Sequence, residues 1–361
     1  MEKYRVGIVG ATGMVGQRFI SLLQDHPWFE VNCVAASARS AGKTYREAVG
    51  ERWAFSWEIP EKVAGMTVVD AADIDEVSKH VDFVFCAVDM KKDEIRALEE
   101  AYAKHEIPVV SNNSACRGIE DVPMVVPEIN ADHLAVIEAQ KKRLGTKNGF
   151  IAVKPNCSIQ SYVPALTPLL DFEPEKVSVC TYQAISGAGK TFKTWPEMVD
   201  NVIPYIGGED EKSENEPLKL WGHVEDGKIV NAALPIISAQ CLRVACSDGH
   251  MAAVSVSFKK KPTIEQIKER WANYETEAQR LELPSAPKPF LQYFEDPSRP
   301  QTRLDRDFQN GFGVSIGRLR EDKLFDYRFV CLSHNTVRGA AGGGILTAEL
   351  LCRKGYIPHR V

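Results

Sequence analysis

The chain has 361 residues, 44% hydrophobic and 26% charged, with a formal net charge of −5. Such a length predicts roughly two domains of ordinary globular composition. The mild negative charge gives no reason to expect nucleic acid or an anionic membrane surface as a partner, and no apolar run approaches the ~18 residues of a membrane span. Arg5–Gly10 reads as a strand, starting too near the beginning of the chain for a signal peptide to precede it. Met14–Gln24 reads as a helix, Val31–Ala35 and Val81–Val88 as strands, 91–106 as a polar-faced helix and Pro108–Val110 as a short strand. Strands alternating with helices predict a doubly wound parallel sheet. Phe150–Val153 reads as one more buried strand. Ser158 is then placed to cap a helix over 159–170, where Ile159, Tyr162, Val163 and Leu166 recur at helical spacing.

Beyond Cys157 the pattern changes. Segments 176–186, 241–246, 251–258, 311–319 and 324–333 are longer, alternating strands that suit a mixed sheet with one covered face. Residues 264–281 form a single amphipathic stripe able to cover it. The Pro-rich stretch 284–310 reads as a long excursion suited to a subunit contact, and 338–354 as a small-residue run leading into a last helix. The fold class expected is α/β. An N-terminal doubly wound dinucleotide-binding domain (1–156, rejoined by 337–361) is followed by a second, α+β catalytic and oligomerisation domain on a mixed sheet (157–336).

The first strand leads into glycines at 10, 13 and 16, a GxxGxxG variant of the dinucleotide fingerprint, with Gly10, Thr12, Gly13, Met14 and Val15 spanning the turn. Strand, glycine turn and helix are the context that motif needs for pyrophosphate to approach the helix N-terminus. After the second strand comes Ala35–Lys43, which has no carboxylate to hold a ribose diol. Ser37, Arg39, Ser40 and Lys43 suit a 2′-phosphate instead, which selects NADP; an exposed basic loop is the plain alternative. Ser186–Thr191 imitates the end of a P-loop, but position 184, where that motif needs glycine, is alanine.

Cys157 stands where a strand hands over to a helix, a place that can lower a thiol's pKa. Taken alone, a small buried cysteine is the commoner case. Asp248-Gly249 reads as a two-residue hairpin that would put Arg243, Ala245, Ser247 and His250 on one face, with an ordinary surface hairpin as the plain alternative. Arg117, Gln183, the charged cluster 208–212 and the corner at Asn335 are further candidates. Nine scattered cysteines argue for a reducing compartment, the cytosol, and the lack of CxxC pairs and of HExxH argues against a metal.

Taken together, GATGMVG, AASARSAGK, SNNSACR with DVPMVVPEIN, PNCSIQ, TYQAISGAGK, CLRV with GH, and N-x-x-R-G-A-A-G resemble the aspartate-β-semialdehyde dehydrogenase family. Gly207–Lys212 points to its archaeal and fungal branch. The resemblance implies NADPH-dependent reductive dephosphorylation of L-β-aspartyl phosphate, through a thioester on Cys157, in the synthesis of aspartate-derived amino acids. It assigns His250 as acid/base, Gln183 as the group orienting substrate, Arg243 as the α-carboxylate ligand, Arg117 as the phosphate ligand and Asn156 as a neighbour of the substrate. Glu209 and Lys212 match the family's E-x-x-K pair, although Glu216 and Lys219 have the same spacing. Ser186, Gly187 and Asn335 fall at the cofactor. Related enzymes offer rival activities: reduction of malonyl-CoA or of N-acetyl-glutamyl phosphate. A non-catalytic NADP-binding regulator is the reading from another class. A homodimer or homotetramer is expected.

Overall fold

The computed structural model describes residues 2–359; Met1, Arg360 and Val361, which the expected bounds of the first domain include, lie outside them. Six strands, β1 (Tyr4–Val9), β2 (Phe29–Ala36), β3 (Val69–Asp70), β4 (Phe83–Cys86), β5 (Val109–Ser111) and β6 (Ile151–Val153), form a sheet in the order β3-β2-β1-β4-β5-β6. Every pairing in it is parallel. All four residues of β4 are buried, as expected where helices cover both faces. The strand order reverses between β1 and β4, and ligands of such sheets bind at the carboxyl ends beside that point. The last helix, Gly342–Arg353, returns to this sheet, burying Ile345, Leu346, Leu350 and Leu351. Its inward Glu349 accepts from His26 Nε2 at 2.8 Å and from the Ser285 amide at 3.0 Å.

The second sheet runs β13-β14-β15-β12-β7-β11-β8, from β7 (Pro174–Gln183), β8 (Val202–Ile203), β11 (Ile236–Val244), β12 (His250–Phe258), β13 (Leu291–Phe294), β14 (Val314–Glu321) and β15 (Tyr327–Ser333). A separate two-stranded ribbon holds β9 (His223–Glu225) and β10 (Lys228–Val230). One face of the large sheet, with Val177, Val179, Val254 and Val256, is packed under the helix Ile264–Ala272. There Trp271 meets Phe329 edge-on and donates its indole N–H to the Ala165 carbonyl at 2.7 Å. Tyr182 and Ile236 lie exposed on the opposite face. One apolar cluster runs from Val84 and Val109 through Ile159, Tyr162 and Leu166 to Val177 and Val254, so the two sheets share a core.

Three expectations need correction. The helix over 159–170 is broken into a 3₁₀ turn, Ser158–Gln160, a single α-turn, Val163–Leu166, and a second 3₁₀ turn, Thr167–Phe172. Pro164 and Pro168 have no N–H to continue a helical ladder. The stripe 264–281 is two helices, because Thr276 caps a new one, Glu277–Arg280, by accepting from the Gln279 amide at 3.2 Å. The excursion 284–310 contains β13, the edge strand of the large sheet. Among the described residues no helix is long and apolar enough to cross a membrane, and no group of three or more His, Cys, Asp or Glu is placed to hold a metal ion.

Candidate active site

Cys157 lies just past β6, at the start of the 3₁₀ turn, partly exposed. Ser158 is not the cap: Cys157 stands at the N-cap position, and Asn156 Oδ1 accepts from the Ser158 amide at 2.7 Å in an Asx turn just before it. This polar corner also meets the helix Glu209–Leu220. Asn156 Nδ2 donates to Glu209 Oε1 at 2.9 Å, and the Asn156 amide donates to Glu216 Oε2 at 2.6 Å.

The other half of the site is a row across three strands. Arg243 on β11 pairs with Gln183 on β7, and Met251 on β12 pairs with Tyr182, which sets His250 level with Gln183. All three side chains are buried, at 6%, 1% and 0% exposure, so they point to the covered face. The expected Asp248-Gly249 hairpin is absent. β7 lies between β11 and β12, and segment 245–249 crosses over its end. Arg243 and His250 nevertheless converge. A Cβ added to Gly187 would stand 2.8 Å from Arg243 Nη1 and 3.0 Å from His250 Nε2, so a side chain there would crowd both groups. Asn335 holds the turn in place, accepting from the Gly249 amide at 2.7 Å and donating to Ser186 Oγ at 2.9 Å.

His250 Nε2 is 3.4 Å from Cys157 Sγ. The Ala184 amide donates to His250 Nδ1 at 3.1 Å, so the neutral ring carries its proton on Nε2 and presents a donor to the sulfur. Burial, with Arg243 adding to it, lowers His250 to about 3, so the ring is neutral at ordinary pH. Burial also pushes the Cys157 thiol up, reinforced by Glu209 and opposed by Lys154, Arg117 and Arg243. The expected lowering by a helix terminus is therefore outweighed: the turn has only three residues, and desolvation of the thiolate dominates.

Two of the cations around these groups are paired with carboxylates. Glu209 accepts from Lys212 Nζ at 2.8 Å and from Gln183 Nε2 at 3.3 Å. Burial works to raise its carboxyl, but Lys212, Asn156 and Gln183 together hold it below the usual range. Arg117 Nη1 donates to Glu216 Oε1 at 3.0 Å, and Arg243 Nη1 to the Ala184 carbonyl at 2.7 Å. The two E-x-x-K pairs are placed differently. Glu209, Lys212 and Glu216 reach the site. Lys219 instead donates to the carbonyls of Arg117, Ile119 and Val122 at 2.7, 2.7 and 3.0 Å, and so holds up the loop that carries Arg117.

A cavity of ≈ 550 Å³ runs beside the glycine turn, lined by Gly10, Thr12, Gly13, Ser37, Arg39, Ser40, Lys43 and Arg52, among others. Gly10 has φ +91°, and a Cβ there would meet the Ala87 carbonyl at 2.3 Å. The helix Met14–Leu23 has no acidic residue in its first turn and no side-chain cap, so its leading amides are free to receive phosphate. The donors, the added cations and the glycine cradle fit a dinucleotide carrying an extra phosphate. Met14 and Ser186 line a smaller adjoining cavity of ≈ 200 Å³. Val15, by contrast, is partly buried and packs against the core cluster that includes Ile345 and Leu346. Sequence reasoning missed Arg52, which no motif marks, and Lys154, whose signal was a charge at the end of an apolar strand.

Fold and site together define a two-domain, dinucleotide-dependent dehydrogenase. The model for "Semialdehyde dehydrogenase, NAD binding domain" matches residues 5–137, and that for "Semialdehyde dehydrogenase, dimerisation domain" matches 166–338. Aspartate-semialdehyde dehydrogenases from Schizosaccharomyces pombe and Archaeoglobus fulgidus are 45% and 43% identical, each over 98% of this chain and 99% and 100% of their own length. A crystal structure of aspartate semialdehyde dehydrogenase with NADP from Candida albicans is 39% identical, covers 99% of this chain and 100% of its own, and superposes with a TM-score of 0.89. An aspartate semialdehyde dehydrogenase II from Vibrio cholerae, complexed with ASA, is 25% identical over 98% of this chain and 100% of its own, with a TM-score of 0.73. The chain belongs to the aspartate-semialdehyde dehydrogenase family.

Proposed function

We propose that the chain catalyses NADPH-dependent reductive dephosphorylation of L-β-aspartyl phosphate to L-aspartate β-semialdehyde, with Cys157 as nucleophile. The observation that carries this reading is the Cys157 Sγ–His250 Nε2 approach of 3.4 Å, with the Arg117 and Arg243 guanidiniums near enough to act on the sulfur. The names of the relatives, and the NADP in the Candida structure, support it.

Hydride does not readily reduce a carboxylate, so the acid must arrive activated. The Cys157 thiolate attacks the acyl phosphate carbonyl, the C–O bond to phosphate breaks, and a thioester remains. Arg117 and Lys212 receive the departing phosphate, aided by exchange away from Glu216 and Glu209. Arg243 grips the α-carboxylate, while Glu209, fixed by Asn156 and Gln183, receives the α-ammonium. An ammonium ligand of this kind favours the aspartyl substrate over malonyl-CoA, which has none. When bound, the reduced nicotinamide supplies the hydride. His250 Nε2–H points at the reacting atoms and stabilises the oxyanion and then the leaving thiolate by donating to them. Arg39, Lys43 and Arg52 hold the 2′-phosphate, and Asn335 keeps the Ser186–Gly187 turn against the cofactor.

The exposed sheet face with Tyr182 and Ile236, continued by Val202 and Tyr205 near the β8 edge, makes a homodimer contact. Nine unpaired cysteines suit a reducing compartment, the cytosol. The test is phosphate-dependent reduction of NADP⁺ by aspartate semialdehyde. Activity there, absent with N-acetyl-glutamyl phosphate or malonyl-CoA in the opposite direction and abolished by Cys157→Ser, is expected. Preference for either rival substrate would overturn the reading.

A further inference from the structure

The imidazole beside the thiol is not set up as its base. His250 has its Nδ1 occupied and offers Sγ a proton rather than accepting one. A positive charge must therefore offset the burial that disfavours the thiolate. Two of the nearby cations have carboxylate partners: Arg117 is held by Glu216 and Lys212 by Glu209. Arg243 is assigned to the substrate. A fourth cation remains, and no step above uses it.

Lys154 is the first residue past β6, three before Cys157, with its backbone N–H on the Ser111 carbonyl at 2.9 Å. It is 3% exposed and forms no ion pair among the described residues; its Nζ donates to the Pro155 carbonyl. The glycine run before the last helix makes room for both side chains. A Cβ on Gly339 would stand 2.9 Å from Cys157 Cβ, and one on Gly343 would stand 3.2 Å from Lys154 Cδ. Lysine and cysteine thus lie against one wall. The other charges facing Lys154 are Arg117 and Glu216, which pair with each other, and Arg338, which is bound to Glu128 at 2.8 Å.

We infer that Lys154 is the counter-ion of the Cys157 thiolate, a positioning residue that makes the sulfur reactive before substrate binds. The inference rests on Cys157 being the nucleophile. On ionisation the S–H bond breaks, its proton passes to water, and the Lys154 ammonium keeps its three protons. Acylation then removes the sulfur's charge and leaves the ammonium without its partner. Burial, helped by Arg117, already draws Lys154 down to about 7, with the Cys157 charge opposing. The thiolate and the ammonium therefore stabilise one another.

The experiment is the pH dependence of iodoacetamide alkylation in the substrate-free enzyme, read at the Cys157 peptide by mass spectrometry. Lys154→Met and the smaller Lys154→Gln are compared with Lys154→Arg, and NADP binding reports folding. A nearby opposite charge shifts a pKa by about 1–3 units. The neutral variants should move the alkylation profile upward by about one unit, slow labelling near pH 7 roughly tenfold, and leave NADP affinity intact. Lys154→Arg should restore the profile. Unchanged profiles in folded neutral variants would overturn the counter-ion role and leave the nucleophile standing. If blocking Cys157 in the native enzyme spared turnover, the nucleophile itself would fall.

Discussion

Replacing Arg243 by lysine keeps the charge and removes the fork. One arm of the guanidinium, Nη1, is already committed to the Ala184 carbonyl at 2.7 Å, which leaves the remaining N–H groups to meet a substrate carboxylate in two places. A lysine ammonium in this buried slot can serve the carbonyl or one carboxylate oxygen, but it cannot reproduce the planar pair. A hydrogen bond to a charged group contributes roughly 1.5–3 kcal/mol, and each 1.4 kcal/mol is about tenfold in affinity. Loss of one such bond should raise KM for aspartate semialdehyde by about 10- to 100-fold, with kcat within several-fold and KM for NADP⁺ unchanged. If the Ala184 carbonyl loses its donor, stability should fall by about 1–3 kcal/mol, visible as a lower Tm. Steady-state kinetics in the phosphate-dependent direction measure both constants. An unchanged KM, or a loss confined to kcat, would refute the carboxylate clamp.

Arg39→Ala should narrow the preference for NADPH over NADH by roughly tenfold, and Arg52→Ala should narrow it further, since both line the same cavity. Equal ratios of kcat/KM for the two cofactors in variant and parent would show the 2′-phosphate reading to be wrong. Lys219→Met leaves three backbone carbonyls without their donor, two of them in buried bonds, and should cost about 2–6 kcal/mol in urea unfolding; it should also weaken phosphate binding by loosening Arg117, and a neutral effect on both would contradict the prop. His250 titrates near 3 when folded, against ~6.5 for an unfolded histidine. Its contribution to stability is full above ~6.5 and is lost progressively as pH falls toward 3, where the unfolded state binds the extra proton. His250→Asn should therefore lose less stability than the parent between pH 7 and 5, and identical slopes would count against a buried neutral imidazole.

Local pattern carried much of this architecture. Apolar runs of four to six residues alternating with helical spacing announced the parallel sheet, and two-residue alternation made β12 and the part of β7 beyond Lys176 legible. The failures have local causes as well. Residues 159–170 kept a helical spacing of apolar side chains while two prolines denied the backbone its hydrogen bonds. The Asp248-Gly249 pair had the chemistry of a tight turn, and its chain neighbours simply found other partners.

What the residue order determined by itself was whatever depends on a few successive dihedrals and side chains: the glycine turn with its uncapped helix, the lack of a carboxylate after β2, and the polar corner around Cys157. Strand pairing is settled by competition among all the strands for burial, and no short stretch contains that outcome. Only the folded chain inserted β7 between β11 and β12, which levelled Arg243, Gln183 and His250 into one row. Tertiary packing also separated Glu216 from Lys219, sending one to the site and the other to three backbone carbonyls. It reversed the expected effect on the thiol too, because desolvation depends on everything packed around a group and not on its place in the chain.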